Sequence, residues 1–192
     1  MYDIEQTYTI QWVGPFHSLA ERDDYFKKGK RGEMCDPSLF SFYYFRGNKK
    51  GRGYTSRKFY DYFGIHKGCN LASRLNKNHE HFRNFHENSN LDIWIGTFAN
   101  TQDQTPQNIE DVETVFISTY IPTENNRKKN HKMQYSICII NLWYKTDERT
   151  PWKRKPVSIQ DMKDVLVCEV DGQNQRFLSA NLKEVKPKEN KR

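Results

Sequence analysis

The stretch Leu39–Ile65, LFSFYYFRGNKKGRGYTSRKFYDYFGI, decides how this chain is read. Its two ends are crowded with aromatic residues, which suit a pleated, half-buried surface. Residues 39–46 and 58–65 are therefore read as strands. The middle, 47–57, is basic and glycine-rich, as a hairpin tip or loop is. Across so short a connection the two strands pair antiparallel. Working outward, residues 6–13 read as a strand that Gly14-Pro15 stops, and 17–28 as an amphipathic helix with Leu19, Tyr25 and Phe26 on its apolar side. On the other flank, 69–79 carries Leu71 and Leu75 at helical spacing, and 91–98 is a third strand of the same region. Thr105-Pro106 supplies a cap and a first-turn proline for a helix over 107–120, which Pro122 ends. Strands follow at 135–144 and 164–170, and Asp171-Gly172 turns into a last strand near 175–182. The plan is α+β: a small central antiparallel or mixed β-sheet flanked by helices. The first 125 or so residues carry the mixed core, the rest is a C-terminal extension that adds strands, and 186–192 is read as a disordered basic tail.

The chain has 192 residues, 14% of them aromatic, which is too many for wholesale disorder. No apolar run approaches the length of a membrane-spanning helix, and MYDIEQTYTIQWVG lacks the basic-then-apolar start of a secretory signal. The four cysteines, Cys35, Cys69, Cys138 and Cys168, form no CxxC pair. They are read as reduced structural thiols of a cytoplasmic protein.

The net charge is +7, and its distribution is uneven. Between Arg46 and His86 ten basic residues face only Asp61 and Glu80, a local surplus of +8. Lys49, Lys50, Arg52, Arg57, Lys58, Lys67 and Lys77 are candidates for positioning phosphates, with tyrosines and histidines among them for sugars or bases. In the helix 107–120, Glu113 falls on the side of Ile109, Val112, Phe116 and Ile117, whereas Glu110 and Asp111 face out. A carboxylate among apolar neighbours needs a cation or donors, so a metal ion or an arginine is expected there. Arg74 flanks the Leu71/Leu75 face, placed to grip a phosphate or to pair with an acid such as Glu113.

These residues fall into a pattern. Ser41-Phe42-Tyr43-Tyr44-Phe45 resembles the first motif of the GIY-YIG nuclease family, and Tyr62-Phe63-Gly64 the second. Asn70-Leu71 and Arg74-Leu75 follow where that family has its arginine-bearing helix. Val112–Ile117, then Pro122 and Asn125, is similar to its helix with a metal-binding glutamate, a proline and a terminal asparagine. The resemblance spans about residues 39–126 and so implies a nuclease-like core there, with an N-terminal strand-helix extension (1–38) before it and a C-terminal β-rich extension (127–185) after it. Ser41-Phe42 replaces Gly-Ile, and a histidine that often follows the arginine by one helical turn is represented by His79, five residues on, or by His66. The WVGPF segment and the C-terminal strands lie outside it.

The resemblance implies a GIY-YIG-like fold and metal-assisted hydrolysis of phosphodiester bonds in double-stranded DNA. Glu113 would be the sole protein ligand of Mg²⁺ or Mn²⁺. Arg74 would stabilise the pentacovalent phosphate, Tyr43 would accept a proton from the attacking water or orient it, Tyr62 would hold water or phosphate, and Asn125 would brace the site. Tyr44 and Tyr60 are the fallback phenols. One such site cuts one strand, so duplex cleavage requires a homodimer or two visits, as in a restriction or mobile-element enzyme. The alternatives are a non-catalytic nucleic-acid-binding module on the same fold, and a histidine-metal nuclease built on His79, His81 and His86.

Overall fold

A computed structural model describes residues 3–27, 40–48, 59–68, 71–85, 90–125 and 132–182. Strands β1 (Gln6–Phe16), β2 (Ser41–Gly47), β3 (Tyr60–His66), β4 (Asp92–Phe98), β5 (Ile137–Tyr144), β6 (Val165–Asp171) and β7 (Asn174–Ala180) form one sheet in the order β3-β2-β4-β1-β5-β6-β7. The helices are α1 (Leu19–Lys27), α2 (Leu71–Arg74) and α3 (Pro106–Tyr120).

The predicted hairpin is present: β2 pairs antiparallel with β3, Tyr43 opposite Gly64 and Phe45 opposite Tyr62. The expected small central sheet flanked by helices does not form. The architecture is a curled, mixed seven-stranded half-barrel that is mostly strand and 25% helical. The reason lies in β1. Its residues are buried on both faces, Trp12 on one and Val13 on the other. A strand covered on both sides belongs inside a sheet. It pairs antiparallel with β4 and parallel with β5, so it joins the hairpin region to the C-terminal strands. Gly14-Pro15 does not stop it; the register shifts between Val13 and Phe16 and the pairing resumes.

The helix α3 packs against β2 and β3 and also against β6 and β7 near the opposite end of the sheet. The sheet therefore curls round it. Inside the curl, Trp12, Phe42, Phe63, Phe116 and Trp143 form the larger core. On the other face, Val13, Phe16, Tyr43, Phe45, Leu71 and Leu75 form the second, which α1 and α2 cover. Among the described residues no helix is long and apolar enough to cross a membrane. Cys138 and Cys168 are free thiols; Cys35, Cys69, Asn70, the hairpin tip 49–57 and the tail 186–192 lie outside the described residues.

Candidate active site

The hairpin sets the first phenol. A Cβ on residue 64 would lie 2.5 Å from Tyr43 Cζ and 2.6 Å from its hydroxyl oxygen. Glycine is required there because the Tyr43 ring crosses β3 at that point. Tyr43 is completely buried, its ring 6.1 Å from that of Tyr62. Its hydroxyl oxygen lies 3.0 Å from His79 Nε2. The Phe82 amide donates to His79 Nδ1 at 3.3 Å. In the neutral ring Nδ1 is then the acceptor and the proton sits on Nε2, where it is donated to Tyr43. Burial, with the charges of Arg74 and His81, lowers the His79 pKa to about 4, so this neutral form holds at pH 7.

A short turn sets the arginine. The predicted helix 69–79 is reduced to Leu71–Arg74. Asparagine side chains compete for its backbone: Asn76 Nδ2 donates to the Ser73 carbonyl, and its Oδ1 accepts from the Asn78 amide at 2.8 Å. The chain therefore folds back after Arg74 and returns His79 to the sheet. Arg22 of α1, only 1% exposed, donates to the Leu75 carbonyl and pairs with Asp23. The N-terminal segment thus holds the turn that carries Arg74.

The helix α3 supplies the acid. Thr105 caps it, accepting from the Asn108 amide at 3.1 Å, and Pro106 opens it. Glu113 is 8% exposed, on the buried side as its spacing requires. Asp111 does not face out as expected. It is buried, where Gln107 and the Tyr135 hydroxyl donate to its two oxygens. Beyond α3, Asn125 caps the outer edge of β3: its side chain accepts from the Phe63 amide at 2.9 Å and donates to the Phe63 carbonyl at 2.7 Å.

These parts meet in a cleft of about 690 Å³. Tyr62, Arg74, His79, Glu113 and Asn125 all line it. Tyr43 stands behind the wall, bound to His79. Burial raises the pKa of both phenols. The charge of Glu113 pushes the same way on each, and that of Arg74 opposes it. His66 is buried at the end of β3 and is absent from the lining; burial and Arg74 lower its pKa. Of the basic candidates, Lys67 pairs with Glu110 and Lys77 is exposed beside the turn. Lys49, Lys50, Arg52, Arg57 and Lys58 lie outside the described residues.

The cleft also contains residues that the sequence reading did not place with this site. His81 stacks on Tyr62 with ring centroids 4.3 Å apart, and Glu80 and Glu124 are further lining residues. A helix continued past Arg74 would scatter residues 79–81 around its axis; the two asparagines at 76 and 78 were the signal that it ends. Among the described residues, no three His, Cys, Asp or Glu side chains are grouped to hold a metal ion. Glu113, the buried one of the three carboxylates that line this cleft, suits magnesium, which retains most of its waters.

No protein-family model matches the chain, and neither a curated protein nor a solved structure matches it.

Proposed function

We propose that this protein is a metal-dependent DNA endonuclease with a GIY-YIG-type site set at one edge of a larger sheet. The observation that carries the reading is the meeting of Tyr62, Arg74, His79, Glu113 and Asn125 in one cleft, with Tyr43 bonded to His79. They come from the hairpin, α2 and the turn after it, α3 and the segment beyond it, and they are residues the motif resemblance picks out. Arg74 binds the scissile phosphate and stabilises the charge that builds on it. Tyr62, at the cleft wall, orients the attacking water. As a phenolate, once its own proton has left through Tyr62 to solvent, Tyr43 takes up the water's proton along the same bond, and the His79 Nε2–H and Arg74 donors stabilise that oxygen. Glu113 would hold Mg²⁺ or Mn²⁺. Bound there, the ion supplies charge neutralisation at the leaving 3′-oxygen and offsets the carboxylate charge that raises both phenols.

Double-stranded DNA is the proposed substrate, cut by a homodimer or in two visits, and a restriction system the proposed setting. A cytoplasmic location fits the free thiols of Cys138 and Cys168. The test is nicking of supercoiled plasmid with Mg²⁺. Glu113→Ala and Arg74→Ala each lower the rate by about 10²–10³-fold, the size of losing one transition-state contact. Equal nicking by wild type and Glu113→Ala overturns the assignment. The complete burial of Tyr43 favours a second reading, a binding module with an unused site; retained DNA binding with no nicking on any substrate would establish it.

A further inference from the structure

The chain after β5 carries a charged surface that the site does not use. Residues 145–155, KTDERTPWKRK, hold five cations against two acids. Lys145, Arg149, Lys153 and Arg154 are exposed. The segment is tied down: the Lys145 amide donates to the Thr150 carbonyl at 2.9 Å, Tyr144 bridges to Pro151, and the Trp152 amide donates to the Trp143 carbonyl at 2.9 Å. The Trp152 indole N–H reaches the Gly14 and Tyr144 carbonyls at 3.0 and 3.2 Å. Lys145 lies 5.2 Å from the centre of the same ring. One of the two acids, Asp147, is turned into its own loop, accepting from Thr150 and from the Arg149 and Thr150 amides. The loop thus spends Asp147 on its own shape and presents four cations outward.

Its position bears on the cleft. Tyr144, Val13, Ile95, Tyr43 and Gly64 occupy one row across five strands, each opposite the next. The first four belong to the core on the same face. The loop starts immediately after Tyr144 on β5, four strand spacings from β3, whose Tyr62 lines the cleft. At ~4.8 Å per spacing that is ~19 Å, or about six phosphate steps along one strand of a duplex at ~3.4 Å each.

We propose that the ordered loop 145–154 is a second phosphate-contacting surface, which anchors the duplex whose scissile bond lies in the cleft. This rests on the nuclease reading for the identity of the polyanion. The loop reads no bases; it contacts backbone charge, and it holds the duplex several steps from the cut.

The test compares three full-length proteins on a short labelled duplex: wild type, the loop variant Arg149→Ala/Lys153→Ala/Arg154→Ala, and the charge-matched control Lys27→Ala/Lys132→Ala/Arg176→Ala. Association constants are measured across a salt titration, and plasmid nicking with Mg²⁺ is measured beside them. If all three loop cations contact phosphates, the loop variant's log–log salt slope is smaller by about 2.7. Wild type then loses about 40-fold more affinity than the variant between about 50 and about 200 mM salt. The control keeps the wild-type slope. A loop variant with the wild-type slope, or a control that falls as far, overturns the proposal. The nicking arm separates the two readings. If the loop variant's slope falls while no protein nicks, the surface stands and the catalytic reading fails. If wild type nicks and the slopes agree, the catalytic reading stands and the surface fails. A wild type that binds no duplex overturns both.

Discussion

Trp12 and Tyr43 each cross a glycine on a neighbouring strand, and they lead to opposite ends. Trp12 lies against Gly96, where a Cβ would come within 2.9 Å of its ring. Tyr43 lies against Gly64 in the same manner. Trp12 points into the curl, stacked on Trp143 at 5.4 Å and edge-on to Phe63 and Phe116. Its indole N–H donates to Asn141 at 2.9 Å, and Asn141 donates in turn to the Lys163 carbonyl at 3.1 Å. That polar chain closes inside the protein. The Tyr43 hydroxyl instead meets His79, a residue of the cleft wall. One device fills a core; the other carries a polar atom through the edge of the sheet to a cleft. The difference lies in what receives the polar atom, and a buried polar network that ends at a cleft is a candidate for chemistry.

The comparison can be broken in order of effect. Trp12→Ala is expected to cost about 3–5 kcal/mol by chemical denaturation, as loss of a large buried ring does. Gly96→Ala and Gly64→Ala should each cost about 1–3 kcal/mol through overpacking. Only Gly64→Ala should also depress nicking out of proportion to the folded fraction, because it displaces Tyr43. If both glycine variants lower activity only in step with stability, the two devices are equivalent. His79 gives a pH signature that the Trp12 side lacks. Its pKa falls from about 6.5 in the unfolded chain to about 4 in the fold. Between those values the unfolded state binds the extra proton, so this contribution to stability is full above about 6.5 and is lost as pH falls towards 4. The slope is at most about 1.4 kcal/mol per pH unit, and His79→Gln should remove it from melting curves recorded across this window. Tyr43→Phe should have the smallest effect on stability, about 1 kcal/mol for one hydrogen bond. Wild-type nicking rates in that variant would remove Tyr43 from the mechanism.

The local parts of the fold were legible in the sequence, and the global parts were not. The aromatic ends of the hairpin, the Thr105-Pro106 start of α3 and the Asp171-Gly172 turn each rest on a few adjacent residues. The place of β1 does not. Its residues 6–13 alternate like those of an edge or a central strand, and only pairing with β4 and β5 decides between them. The half-barrel was invisible for the same reason: it depends on α3 reaching β3 and β7 together. In the site, Glu113 was legible because helical spacing alone buries it. His79 was ambiguous while a helix was assumed to run on from Arg74, since five residues overshoot one turn. Once Asn76 breaks the helix, that count has no meaning. Asp111 misled because Tyr135, which satisfies it, is distant in the chain.

The outer edge of β3 is covered by side chains in place of another strand. Thr123 accepts from the Asp61 amide at 2.8 Å, two residues before Asn125 accepts from the Phe63 amide. The segment that shields these two amides also contributes Glu124 and Asn125 to the cleft. Solvent deuterium cannot exchange at Asp61 or Phe63 without loosening that wall. These amides are therefore built-in reporters: their exchange rates measure how often the wall detaches, in a protein that need not be catalysing anything.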